Sequence, residues 1–157
     1  MAAPRIRHVL AALLPATLAV GLATFGTAAQ AVDFRSVAPG PAVMYDAPGL
    51  KSKKVFIAPI GMPVELVLTN GDWSRVRDAG GDLAWIENKH LSNKRTLVVE
   101  VPQAAARASA SDTAAVVFSA GKGVVLELAE PVSSGWIKVR HRDGEIGYVK
   151  AADVWGE

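Results

Sequence analysis

The sequence predicts an all-β protein: two tandem small β-barrels, each of about five short strands with one 3₁₀ turn, behind an N-terminal export signal. Three observations predict it. The chain of 157 residues repeats itself at an offset of 62 to 63 positions. Short runs rich in β-branched and aromatic residues alternate with Gly, Pro, Asn-Gly and Asp-Gly punctuation. No stretch after residue 31 sustains a helical period. Half of the residues are hydrophobic, too many for a disordered tail. The length allows one medium domain or two very small ones.

The first element is the signal, 1–31. Arg5 and Arg7 precede an uncharged, mainly apolar run over 9–25, and small residues then lead to Ala29-Gln30-Ala31. As a helix that run would span about 25 Å, less than the ~30 Å hydrocarbon core, and Pro15 and Gly21 weaken it further. We therefore expect Sec-type export, cleavage after Ala31 and a periplasmic or secreted product with no membrane span after cleavage, an uncleaved N-terminal anchor being the alternative. Twin arginine is absent, because Ile6 separates the two arginines. Removing the signal also removes two of the 17 Lys+Arg and none of the 15 Asp+Glu, so the net charge of +2 falls to zero. Nucleic-acid binding through a basic face loses its support. The absence of cysteine excludes thiol nucleophiles, Cys-ligated zinc, iron–sulfur clusters and disulfides.

The repeat divides the remainder into 32–94 and 95–157. Trp73 to Leu91 lies over Trp136 to Val154 without a gap, with identities at Trp73/Trp136, Val76/Val139, Arg77/Arg140 and Gly81/Gly144. Upstream the offset drops by one, pairing Gly61 with Gly123 and Glu65 with Glu127. We place the slip in the turn before the tryptophan, where a change of length costs little. In the first copy strands are expected over 42–46, 54–58, 64–69, 73–78 and 83–86. In the second they are expected over 104–108, 115–119, 124–130, 135–142 and 146–149. Gly80-Gly81 and Asp143-Gly144 read as type I′ hairpin turns, in which both central residues need positive φ. Single 3₁₀ turns are expected over 87–91 and 150–154, and 96–101 reads as an additional strand. Alternation buries Val76, Ile137 and Val139 and turns Trp73, Arg75, Arg77, Trp136, Lys138 and Arg140 outward. Trp155 is expected to pack so as to close the second copy.

In each copy an apolar pair and a glycine precede W-x-[RK]-V-R, a G-[DE] turn, a small residue, an aromatic and an aliphatic. This pattern resembles the bacterial Src-homology-3-like (SH3-like) domain, over about 42–155. The resemblance implies a five-stranded barrel that binds without catalysing. It also implies association with the cell envelope, including peptidoglycan peptides, often beside wall hydrolases. The pattern departs from the family where Ala84 replaces a more usual Gly, and where the second copy opens with the Ala-rich 103–115.

Candidate chemistry is sparse. His90 and His141 stand apart, without His-x-x-x-His or His-Glu-x-x-His spacing, so no metal site is expected. No Ser lies in G-x-S-x-G, and Gly121-Lys122-Gly123 lacks the phosphate-loop frame. Lys51, Lys53 and Lys54 read as solvated loop charge. No catalytic residue and no cofactor is expected. The sharper candidates are aromatic–cation faces: Trp73, Arg75 and Arg77 with Tyr45 and Trp85, and Trp136, Lys138 and Arg140 with Tyr148. Rings stack on sugars or peptides, while guanidinium forks grip carboxylates. The expected function is an exported, non-enzymatic binding module at the bacterial envelope. Its expected partner is a cell-wall peptide or glycan, or an envelope protein. The alternatives are a scaffold for a periplasmic complex and an accessory to a wall hydrolase acting in trans.

Overall fold

Alternation along each strand decides which side chains are buried, and the strands sort into two sheets with one shared plan. The computed structural model describes residues 32–40 and 42–157. The expected signal and its cleavage point lie outside the described residues. The first sheet holds β1 (Phe34–Val37), β2 (Ala42–Tyr45), β3 (Lys54–Ala58), β4 (Pro63–Asn70), β5 (Trp73–Arg77), β6 (Leu83–Glu87) and β7 (Leu91–Ser92). The second holds β8 (Thr96–Val99), β9 (Gln103–Arg107), β10 (Val116–Gly121), β11 (Val125–Ser133), β12 (Trp136–Arg140), β13 (Ile146–Lys150) and β14 (Val154–Trp155). The orders are β3-β2-β6-β5-β4-β1-β7 and β10-β9-β13-β12-β11-β8-β14, all antiparallel, so each strand of one sheet has its counterpart in the other. A 3₁₀ turn precedes the last strand of each sheet, at Asn88–His90 and Ala151–Asp153. Among the described residues no helix is long and apolar enough to cross a membrane.

Each sheet rolls around its own aliphatic interior. Val64, Val76 and Ile86 fill the first, and Leu126, Ile137, Val139 and Val149 fill the second, all at most 1 % exposed. No tryptophan belongs to either core. Seven strands per sheet replace the five expected. The additions in the first copy are β1, whose polar Arg35 and Ser36 stand where the second copy has Leu97 and Val98, and the two-residue β7.

The one-residue slip between the copies is not taken up in the turn. Both copies cross from one strand to the next through a two-residue loop, since Asn70 pairs with Trp73 and Ser133 with Trp136. The extra residue instead enters β11, which has two bulges where β4 has one. A bulge leaves one residue unpaired and bends the strand without breaking it. The distal hairpins also differ from expectation. Gly81 and Gly144 have positive φ (89° and 92°), whereas Gly80 and Asp143 do not. His141 N–H donates to the Glu145 carbonyl and Gly144 N–H to the His141 carbonyl, and Asp78, Gly81 and Asp82 repeat that pattern. These are the wider loops in which a single left-handed glycine closes the turn. Two positive φ values in succession occur at Ser134-Gly135 instead.

A polar and aromatic seam joins the barrels. Phe34 in β1 and Trp155 in β14 meet edge to face with centroids 4.9 Å apart, and the Arg95 guanidinium lies 5.4 Å from the Phe34 centroid. Arg95 Nη2 donates to the Gly156 carbonyl at 2.9 Å. Thr96, buried at 5 % exposure, donates its hydroxyl to the Gly61 carbonyl at 2.7 Å, and Ser36 donates to the Lys94 carbonyl at 2.6 Å. Trp155 therefore reaches across to the first sheet rather than closing the second alone.

Two outcomes follow from this packing. A Cβ on Gly147 would lie 2.9 Å from the Ala106 Cβ and 3.2 Å from the Arg107 carbonyl oxygen. Gly147→Ala is therefore expected to cost about 1–3 kcal/mol in urea unfolding. An unchanged midpoint would mean that β9 moves aside freely. Trp155→Ala removes the edge-to-face contact of the seam and is expected to lower the thermal midpoint by several degrees, an effect worth about 2 kcal/mol. A midpoint equal to that of the parent would show that the seam adds nothing to stability.

Candidate functional site

Strand register gathers most of the sequence-predicted residues of the first copy. Trp85 in β6 stands opposite Arg75 in β5 and opposite Tyr45 in β2, so the three share one face. Trp73 lies two positions along β5, on that same face. Its ring meets Tyr45 edge to face, with centroids 5.4 Å apart and planes at 84°. Tyr45 is buried at 6 %, whereas Trp73, Trp85 and Arg75 are half-buried and present one side to solvent. Ser74 anchors the strand behind this face, donating its hydroxyl to Asn88 Oδ1 at 2.6 Å. Among the described residues Arg75 has no ion-pair or side-chain hydrogen-bond partner. Arg77 does not join the group. It lies at the far end of β5 opposite Glu65, to whose Oε2 its Nη1 donates at 2.9 Å.

The corresponding face of the second copy is engaged with itself. Tyr148 stands opposite Lys138 and opposite Arg107, and Trp136 opposite Lys150. Arg107 thus occupies the place of Tyr45, and its Nη1 donates to the Ala114 carbonyl at 2.7 Å. Lys138 Nζ lies 5.8 Å from the Tyr148 centroid and 2.7 Å from Glu130 Oε1. The hydrogen bond to Glu130 holds the Lys138 ammonium above the usual lysine range. Lys150 Nζ lies 5.7 Å from the Trp136 centroid and 2.6 Å from Asp112 Oδ1. That contact holds the Asp112 carboxyl below the usual carboxylate range. Arg140 lies at the far end of β12 and opens toward the other barrel.

Sequence reasoning missed Arg107, Asp112, Glu130 and Lys150. The alignment of 45–48 with 107–110 already held the Tyr45/Arg107 exchange, whereas the other three depend on tertiary pairing. His141, expected to stand apart, has Asp143 and Glu145 beside it, the donor atoms of all three lying within 4.8 Å of one another. The alternation His-x-Asp-x-Glu around a hairpin is the signal there, and a search for paired histidines passes over it. His141 Nδ1 already faces Asp143 Oδ2 at 2.9 Å.

Among solved structures the chain is similar to NlpC2 from Trichomonas vaginalis, at 16 % identity and a TM-score of 0.38, over 82 % of this chain and 49 % of that one. It is similar to NlpC1 from the same organism, at 18 % identity and a TM-score of 0.37, over 83 % and 48 %. A third is an NlpC/P60 family protein from Bacillus cereus, at 16 % identity and a TM-score of 0.38, over 78 % and 56 %. The chain spans about half the length of these structures. No curated protein matches it. The family described as the bacterial SH3 domain, a binding module and not a catalytic one, matches residues 38–93 and again 100–156. Both matches fall on the two sheets described above, and the chain belongs to the bacterial SH3 domain family, in two tandem copies.

Proposed function

We propose that the protein is an exported, non-enzymatic binding module of the bacterial cell envelope that recognises a peptide or glycan of the wall. The observation that carries this reading is the face formed by Tyr45, Trp73 and Trp85 beside an unengaged Arg75. Ring faces offer apolar, polarisable surface for a sugar or a peptide plane. A guanidinium without an internal partner is free to meet a carboxylate through a bidentate pair. The equivalent face of the second copy has its cations paired to Glu130 and Asp112. A ligand there must displace contacts already made, so the reading assigns recognition to the first copy and a supporting place to the second. Export rests on the N-terminal signal expected from the sequence.

A second reading has its own observation. The edge strand β3 exposes Val55, Phe56 and Ile57 in succession, at 48 %, 48 % and 67 %. Unpaired edges with apolar side chains invite an added strand from another protein. This favours a role in an envelope assembly.

Retention on purified, protein-free sacculi separates the two. The protein is expected to sediment with sacculi. Arg75→Gln is expected to weaken retention roughly tenfold, the scale of one lost charge-assisted contact. Trp85→Ala should abolish retention, Trp136→Ala should leave it largely intact, and an amide proton spectrum confirms that each variant is folded. Absence of retention by the folded parent protein would overturn wall binding and favour a protein partner. Turnover of wall fragments that survives repurification would overturn the non-enzymatic reading.

A further inference from the structure

A glutamate and an arginine face each other at equivalent positions in both copies, and only in the first do they form an ion pair. Glu65 and Arg77 face each other across β4 and β5 and are bonded at 2.9 Å. Glu127 and Arg140 face each other across β11 and β12 in the same register. Yet Glu127 Oε2 is taken at 2.8 Å by Lys94 Nζ, from the segment joining the two sheets. Arg140 is exposed and has no ion-pair or side-chain hydrogen-bond partner among the described residues. It opens on a cleft between the barrels of about 390 Å³, walled also by Ile60, Val125, Lys94, His141 and Arg142. Three cations, Lys94, Arg140 and Arg142, face this cleft against the single carboxylate of Glu127, which Lys94 neutralises. Arg142 is held only loosely, 3.9 Å from Asp143. The aliphatic Ile60 projects beside them, 58 % exposed.

We propose that this inter-barrel cleft binds a short peptide by its terminal carboxylate. Arg140 grips the carboxylate through its two-pronged fork while Ile60 and Val125 cover a small aliphatic side chain. The volume is in the range of small-ligand sites and suits a ligand of dipeptide size. Exposed aliphatic surface beside the guanidinium favours a carboxylate borne on an aliphatic peptide over an inorganic anion, which gains nothing from it. The site is separate from the aromatic face of the first copy and does not rest on the function proposed for that face.

Calorimetric titration of the full chain with N-acetyl-alanyl-alanine tests the assignment, with the C-terminal amide of the same dipeptide as comparison. The acid is expected to bind, and the amide to bind roughly tenfold more weakly or worse. Arg140→Gln is expected to lose the same factor. Lys94→Gln, which releases Glu127 to recapture Arg140, is expected to weaken binding although every residue touching the carboxylate is intact. Preference for the D,D dipeptide assigns the natural source to a wall peptide, and preference for the L,L form to a polypeptide C-terminus. No binding of either form, equal binding of acid and amide, or an affinity unchanged by Arg140→Gln would overturn the proposal.

Discussion

The interior volume of a very small barrel is the constraint on which the rest of this structure depends. A unit of such a size buries only about 60 % of the surface its unfolded chain exposes. Its cavity here is filled by Val64, Val76 and Ile86 in one copy, and by Leu126, Ile137, Val139 and Val149 in the other. No tryptophan enters either core, and the outward positions of β5, β6, β12 and β13 carry Trp73, Trp85, Trp136 and Tyr148. The same shortage of core explains the seam. Phe34, Trp155, Arg95 and Thr96 add contacts between the barrels that neither makes alone.

Both barrels share one framework, and a few differing residues set them apart. Register is shared strand for strand. What differs is which charges are already satisfied. Arg107 in place of Tyr45, with Glu130 and Asp112 beside Lys138 and Lys150, closes the second aromatic face on itself. Lys94 holds Glu127, which stands opposite Arg140 in the register. Exposed ion pairs add little to stability. Their consequence lies in which cations of the matched strands β5 and β12 stand without a partner among the described residues: Arg75 on the first copy and Arg140 between the copies.

Much of this was legible in the sequence, for identifiable reasons. Period-two alternation located the ten principal strands to within a few residues and separated inward Val76 and Val139 from outward Trp73 and Trp136. The 3₁₀ turns and the two copies followed from the repeat. Strand β1 escaped, because Arg35 and Ser36 break the apolar run that announces its counterpart β8. The bulge that absorbs the extra residue of β11 escaped too, since a bulge and a longer turn look alike in a linear alignment. Trp155 was legible as a packing residue but not its partner, Phe34, which lies in the other barrel. Side-chain pairing was least legible. Lys94 with Glu127, and Lys150 with Asp112, join residues whose separation in sequence carries no periodic signal.

The central claim is that the two aromatic faces are unequal, the first open to a ligand and the second occupied by its own cations. Backbone and indole chemical-shift changes on adding soluble wall fragments test it most directly. The account predicts saturable changes concentrated at Tyr45, Trp73, Arg75 and Trp85, with the Trp136 indole nearly unmoved. Changes centred on Trp136, Lys138 and Tyr148, with the first copy silent, would contradict it.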